Sequence, residues 1–181
     1  MTLKLLLISG ALRKASRNTA LLREAVRLFG PADTAWANLH LPLYDGDLED
    51  KVGLPDPVGT LCDQIRWADG VVIATPEYNK MIPGVLKNAL DWISRDKPQP
   101  LAGKPIALVS VAGRSGGEVS QFTARHALTT FNTGLLQGSA FVVPFGGKAF
   151  DEDDRLIAEA QIAGLTKLME RLRIAMEAAR S

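Results

Sequence analysis

The chain has 181 residues, 46% of them hydrophobic and 23% charged, and its 21 basic and 20 acidic side chains leave a net charge of +1. That length suits one ordinary domain, 1–181, burying roughly 70% of its unfolded surface, and the balanced charge argues against nucleic acid or an anionic membrane as partner. No apolar run approaches membrane-spanning length and no basic segment leads into a cleavable apolar stretch, so a cytoplasmic protein is expected.

In chain order, Leu3 to Ile8 is a short apolar run that reads as a first strand. A polar turn follows, holding Gly10, Arg13, Ser16, Arg17, Asn18 and Thr19, and then Leu22, Ala25, Val26 and Phe29 recur at helical spacing. Ala32 to Leu39 reads as a second strand with Trp36 as its large apolar residue, although its alternation is weak. Leu41 to Pro57, rich in proline, glycine and acids, reads as one long loop, and a helix is expected from Pro57 to Trp67. Within that helix Val58, Leu61, Cys62 and Ile65 share a face, so Cys62 is expected to be a small buried hydrophobe. It is the only cysteine, which excludes an intrachain disulfide and a C-x-x-C pair.

Gly70 to Thr75 is an uninterrupted apolar run, read as a fully buried strand and ended by Pro76. The next helix starts near Pro83 with Leu86, Ala89, Leu90 and Ile93 on one face. Pro105 to Val111 is a further buried strand, followed by a glycine-rich turn and a helix from Val119 to Phe131. Leu135 to Val143 makes an interrupted fifth strand, Gly146 to Asp154 a polar loop, and a final helix is expected from about Asp153 to Ala179. His40 and His126 have no metal-ligand spacing around them, so no zinc site is expected.

Strands alternating with helices imply an α/β fold with a parallel sheet covered on both faces. With five strands the expected architecture is a flavodoxin-like three-layer sandwich in the order 2-1-3-4-5. Ligands then gather beyond the carboxyl ends of the strands, at the switch between strands one and three. Three loops meet there: Gly10 to Thr19, Pro76 to Pro83, and Ser110 to Gly117.

The first loop delivers a buried strand to a helix N-terminus, whose unpaired amides and dipole favour an anion. Ser16, Asn18 and Thr19 are candidates to cap that helix or bond an oxyanion, and Arg13 offers a planar fork to phosphate oxygens. There is no G-x-x-x-x-G-K-[ST] and no G-x-G-x-x-G, so a single terminal phosphate, as in FMN, suits the loop better than a triphosphate or a Rossmann-bound dinucleotide. In the second loop two prolines and a glycine stiffen the chain around Glu77, Tyr78 and Asn79, which suits holding the edge of a planar heterocycle. In the third, Gly113, Gly116 and Gly117 allow the main chain a close approach to a ligand.

The stretch Pro76 to Arg95, P-E-Y-N-K-M-I-P-G-V-L-K-N-A-L-D-W-I-S-R, resembles the PEYN-x-x-IPG-x-LKNA-x-DW stretch of the NADPH-dependent FMN reductases, a family that includes quinone, azo and chromate reductases. The first loop, G-A-L-R-K-A-S-R-N, is similar to that family's G-S-x-R-x-x-S-x-N. The resemblance implies that Arg13, Ser16 and Asn18, with Thr19 beside them, hold the FMN phosphate. It implies that Pro76, Glu77, Tyr78 and Asn79 contact the isoalloxazine, partly through backbone, and that Ser110, Gly113 and Gly117 close the other side of the ring. Ala11 stands where the family commonly has serine, and Lys80 where smaller or apolar residues are frequent. Loss of that one hydroxyl would cost about 1 to 3 kcal/mol of FMN affinity if no water replaces it.

With FMN as cofactor and NADPH or NADH as co-substrate, the implied activity is hydride transfer from nicotinamide to flavin and then to a quinone, azo compound, metal oxyanion or free flavin. No protein nucleophile or metal is needed. Homodimers or homotetramers with the flavin near a subunit boundary are implied too, and Trp92, beside Asp91 and Arg95, marks the helix expected to take part. Two other classes stay open: a flavodoxin-type electron carrier, disfavoured by near-neutral charge, and a flavin-binding regulatory protein. A phosphate-ester hydrolase lacks a cysteine nucleophile, although Glu77 and Asp91 remain as acids.

Overall fold

The computed structural model describes residues 2–180. In chain order it contains β1 (Lys4–Ser9), α1 (Arg17–Phe29), β2 (Asp33–Trp36), α2 (Gly46–Val52), α3 (Asp56–Trp67), β3 (Gly70–Ala74), α4 (Gly84–Ile93) and β4 (Pro105–Val111). Then come α5 (Glu118–Leu128), extended by the 3₁₀ turn Thr129–Phe131, β5 (Gly134–Leu135), β6 (Phe141–Val143) and α6 (Glu159–Arg180).

The strands form one parallel sheet in the order β2-β1-β3-β4-β5, with β6 also beside β4. This is the expected flavodoxin-like order. The fifth strand is interrupted because β5 pairs with Pro105 and Ile106 at the start of β4, whereas β6 pairs with Val109 to Val111 at its end. Alternation along β1 sends Leu6 and Ile8 into the core under α3, α4 and α5, and Leu5 and Leu7 into the core under α1 and α6. Each of these leucines is fully buried, and such burial contributes about 1.5 to 3 kcal/mol per side chain.

Four expectations are corrected. The loop between Leu41 and Pro57 contains α2, whose first turn is capped by Asp45 accepting from Asp47 N–H at 2.9 Å. The second strand is shorter than the expected Ala32 to Leu39: it is Asp33–Trp36 at the sheet edge, with Trp36 42% exposed at its end and Leu39 buried beyond it. Trp92 is fully buried: its indole N–H donates to Pro42 O at 2.8 Å and its ring meets Tyr44 edge-on at 5.0 Å. It is therefore a core residue of this chain and no part of an assembly surface. Finally, α6 begins at Glu159 and not near Asp153. The Asp151 carboxylate accepts from Asp153 and Arg155 N–H at 2.9 and 2.8 Å, Asp154 is left-handed, and Phe150 bridges Leu156, so a tight turn occupies 151–155 instead.

Candidate functional site

At the carboxyl ends of β1, β3 and β4 the three expected loops are stitched together. Gly10 N–H donates to Ala74 O at 2.8 Å, and a Cβ on Gly10 would lie 3.2 Å from that oxygen and 3.3 Å from Pro76 Cδ. Glycine there lets the first loop pass against the second. Thr75 N–H in turn donates to Val109 O at 3.0 Å, which joins the second loop to β4.

In the first loop Ser16 is the N-cap of α1, its hydroxyl accepting from Asn18 N–H at 3.2 Å, and Thr19 Oγ1 pairs with Ser9 Oγ at 3.0 Å. Asn18 is buried and faces inward: Nδ2 donates to Val111 O at 2.9 Å and Oδ1 accepts from Val111 N–H at 3.0 Å. Its carboxamide therefore acts as one more peptide unit beside β4 and braces the first loop against the sheet. Arg13 is exposed, and its guanidinium has no protein partner among the described residues. The N–H groups of Leu12, Arg13, Lys14 and Ala15 likewise have no acceptor within the described chain. By contrast, neighbouring Arg17 pairs with Asp154 at 2.5 Å and lies over the Phe150 ring.

In the second loop Tyr78 and Met81 exchange backbone hydrogen bonds at 3.1 Å, and the two residues between them, Asn79 and Lys80, have φ of 51° and 64°. Two successive left-handed residues define a tight I′-like turn, natural for asparagine and costly for lysine. Tyr78 is 52% exposed at its base. The Glu77 side chain points away from solvent toward α5, and its oxygens accept from Ser115 Oγ, Lys80 Nζ, Val119 N–H and Ser120 N–H. Burial alone pushes its pKa up, but the Lys80 ammonium, the Ser115 hydroxyl and the Ser120 N–H outweigh it and hold the carboxyl below the usual carboxylate range. Glu77 is thus ionised at neutral pH and no general acid.

In the third loop Ser110 is fully buried beneath the main chain, its hydroxyl donating to Gly116 O at 2.8 Å and accepting from Gln121 Nε2 at 3.0 Å. Gly116 and Gly117 have φ of 64° and 97°, and a Cβ on Gly117 would lie 2.7 Å from Ser110 Cβ. Ser110 and Gly117 shape the loop from inside, whereas Gly113 is exposed. The N–H groups of Gly113, Arg114 and Ser115 have no acceptor within the described chain. A segment unmarked by the sequence reading flanks this loop: Phe145 N–H donates to Gly113 O at 2.9 Å, and Gly146 N–H to Ala112 O at 3.2 Å. Its signal was the Gly146-Gly147 pair, since a Cβ on Gly146 would lie 2.3 Å from Val111 Cγ1.

Cys62 is buried and its thiol is pushed up to about 12, chiefly by that burial, so it is inert as a nucleophile. Among the described residues no group of three or more histidine, cysteine, aspartate or glutamate side chains is placed to hold a metal ion. No helix among them is long and apolar enough to cross a membrane.

A parallel 2-1-3-4-5 sheet with an anion-ready helix N-terminus and a stiff second loop at its switch point defines a flavodoxin-like mononucleotide-binding protein. Residues 3–148 match the family described as NADPH-dependent FMN reductase, and the chain belongs to that family. It is 36% identical over 185 aligned positions to a quinone reductase of Escherichia coli K12, covering 95% of this chain and 98% of that protein. It is 40% identical over 158 positions to an NAD(P)H-dependent FMN reductase of Pseudomonas aeruginosa, covering 86% and 85%. Among solved structures it superposes on FerB, a flavoenzyme NAD(P)H:(acceptor) oxidoreductase of Paracoccus denitrificans, with a TM-score of 0.83, 25% identity and 99% of each chain covered. The protein is accordingly an oxidoreductase that uses FMN and reduced nicotinamide.

Proposed function

We propose that this chain, as one FMN-binding domain spanning 1–181, passes reducing equivalents from NADPH or NADH through FMN to a quinone or similar small acceptor in the cytoplasm. Its relatives named as quinone reductases support the acceptor class. One observation carries the placement of the cofactor: two runs of unpaired amides, 12–15 and 113–115, lie on loops that the chain itself stitches together. The residues fit the group. The phosphate would be held by Arg13, the 12–15 amides, Ser16 and the N-terminus of α1. The ring would lie against Pro76, Tyr78 and Asn79, with Gly113 opposite.

When bound, FMN supplies the capacity to accept a hydride and release its electrons to a second substrate. The chain binds, orients and stabilises. The 113–115 amides, without protein acceptors among the described residues, would serve as preorganised donors for the negative charge that grows on the flavin on reduction. Asn18, Ser110 and Glu77 engage their side chains in holding the loops in place, and Gly117 lets the main chain pass over Ser110.

The assembly is a homodimer or homotetramer. Its contact face is the groove of about 600 Å³ between α4 and α5, walled by Met81, Ile82, Leu90, Ala127 and Phe131. That groove abuts the Tyr78–Met81 turn, which brings a neighbour close to the ring.

Anaerobic stopped-flow absorbance tests the enzyme reading. NADPH should bleach the visible absorbance of the bound flavin within seconds, and a quinone should restore it with alternating-substrate kinetics. A flavin that light can reduce but neither NADPH nor NADH can would make the protein a carrier.

A further inference from the structure

Helix α5 has no side-chain cap at its N-cap position. Its N-cap residue is Gly117, which has no side chain to offer, and no larger residue fits there because φ is 97° and a Cβ would strike Ser110. Glu118 N–H bonds Ser115 O at 3.3 Å, and the next two amides must find an acceptor elsewhere. They find it 42 and 43 residues back, where Glu77 Oε2 accepts from Val119 N–H at 3.2 Å and Ser120 N–H at 3.4 Å. Oε1 accepts from Ser115 Oγ at 3.2 Å and Lys80 Nζ at 3.1 Å. The side chain is only 8% exposed, and each of its oxygens has two donors. A carboxylate so placed satisfies the N-terminal amides and meets the positive end of the helix dipole. Lys80 reaches it from a left-handed position that a lysine rarely adopts, so the turn and the ion pair hold each other.

We propose that Glu77 is a positioning residue, a latch that fastens the turn 75–83 to the first turn of α5 and so sets the spacing of the two loops on either side of the flavin ring. The inference rests on the placement of FMN proposed above. It reassigns Glu77 from ring contact to brace. In the native protein the latch is preformed, so the ring enters a gap already at its working width.

The test uses full-length protein and the variants Glu77→Gln and Glu77→Asp, the second keeping the charge but shortening the reach should the first fold poorly. Amide exchange is followed by NMR without flavin, and FMN and riboflavin are titrated separately. Glu77→Gln should speed exchange at Val119 and Ser120 by about tenfold or more, as loss of a helix cap requires, while amides inside α4 keep their rates. Both flavins should weaken by the same factor of about ten, the equivalent of one charge-assisted hydrogen bond. Glu77→Asp should show both effects in smaller degree.

Unchanged exchange at Val119 and Ser120 would overturn the latch. Faster exchange with unchanged binding of both flavins would leave Glu77 a plain helix cap and overturn the positioning role. Weakened FMN with riboflavin spared would place Glu77 at the phosphate and overturn it too. A wild-type protein that binds neither flavin refutes the placement of FMN, and the exchange rates still decide whether the latch exists.

Discussion

Asn18 shows how much one side chain decides here. It sits in a loop whose composition suggests phosphate binding, yet both ends of its carboxamide are engaged by Val111. Asn18→Ala would leave a buried N–H and a buried C=O unpaired, each costing about 1 to 3 kcal/mol. Chemical denaturation should show a loss of that order in the flavin-free protein, and a variant as stable as wild type would contradict the bracing role. Arg13 is the opposite case, an exposed guanidinium with no partner to lose among the described residues. Arg13→Ala should leave stability unchanged and weaken FMN about tenfold, since a charge-assisted bond is worth about 1.5 to 3 kcal/mol, while riboflavin binding stays the same. Equal losses for the two flavins in fluorescence titrations would remove Arg13 from the phosphate site. Ser16 does not separate so cleanly, because its hydroxyl already caps α1.

Helix α1 is fixed to the chain's far end through Glu24, a carboxylate only 1% exposed. Arg27 grips both its oxygens at 2.9 Å, and the turn before α6 contributes Arg155 at 3.1 Å and Leu156 N–H at 3.4 Å. Burial pushes the Glu24 pKa up, yet these donors outweigh it and hold the carboxyl below its usual range. A depressed folded pKa means that this stabilisation is present above the unfolded value, about 4.3, and is lost as pH falls through the folded one. Arg27→Ala combined with Arg155→Ala reverses the sign. The buried carboxylate then lacks its cations, its folded pKa rises above the unfolded one, and the variant should lose about 3 to 5 kcal/mol at neutral pH. The deficit should shrink as pH falls and Glu24 protonates. Thermal melts between neutral pH and about 4.3 check this, and a deficit that stays constant across that window would show that Glu24 does not titrate as described.

For the whole molecule, the groove between α4 and α5 is an apolar feature that abuts the Tyr78–Met81 turn through Met81 and Ile82. Ala127 is half-buried on its wall, so Ala127→Asp adds a carboxylate there without displacing a core residue. If the protein assembles through this groove as proposed, sedimentation velocity at micromolar concentration should show a wild-type dimer or tetramer and a monomeric Ala127→Asp variant, and a monomeric wild type would refute the assembly. An unchanged sedimentation coefficient would put the subunit contact on another face. Trp92, the aromatic residue that drew attention to α4, belongs to the inner side of the same helix, where it packs in the core and donates to Pro42 O.

Strand order was readable from the chain because each buried strand is a short apolar run, Leu3 to Ile8, Gly70 to Thr75 or Pro105 to Val111, separated by helical periodicity that forces parallel crossovers. The cofactor class was readable too, because Pro76 to Arg95 carries a specific run of residues and the first loop lacks the glycines of other phosphate sites. Short helix α2 escaped notice because acids and glycines in a seven-residue segment resemble a loop until Asp45 is seen to cap it. The start of α6 was misplaced because Asp151 bonds locally in place of the helix. Sequence by itself thus determined the fold class, the three loops that gather at the switch point and the class of cofactor. Tertiary structure alone decided which polar atoms in those loops the protein uses itself and which it leaves for a ligand. Asn18 meets Val111 across 93 residues and Glu77 meets α5 across 42, and a hydrogen-bonding group's availability depends on such distant neighbours, which no local pattern records.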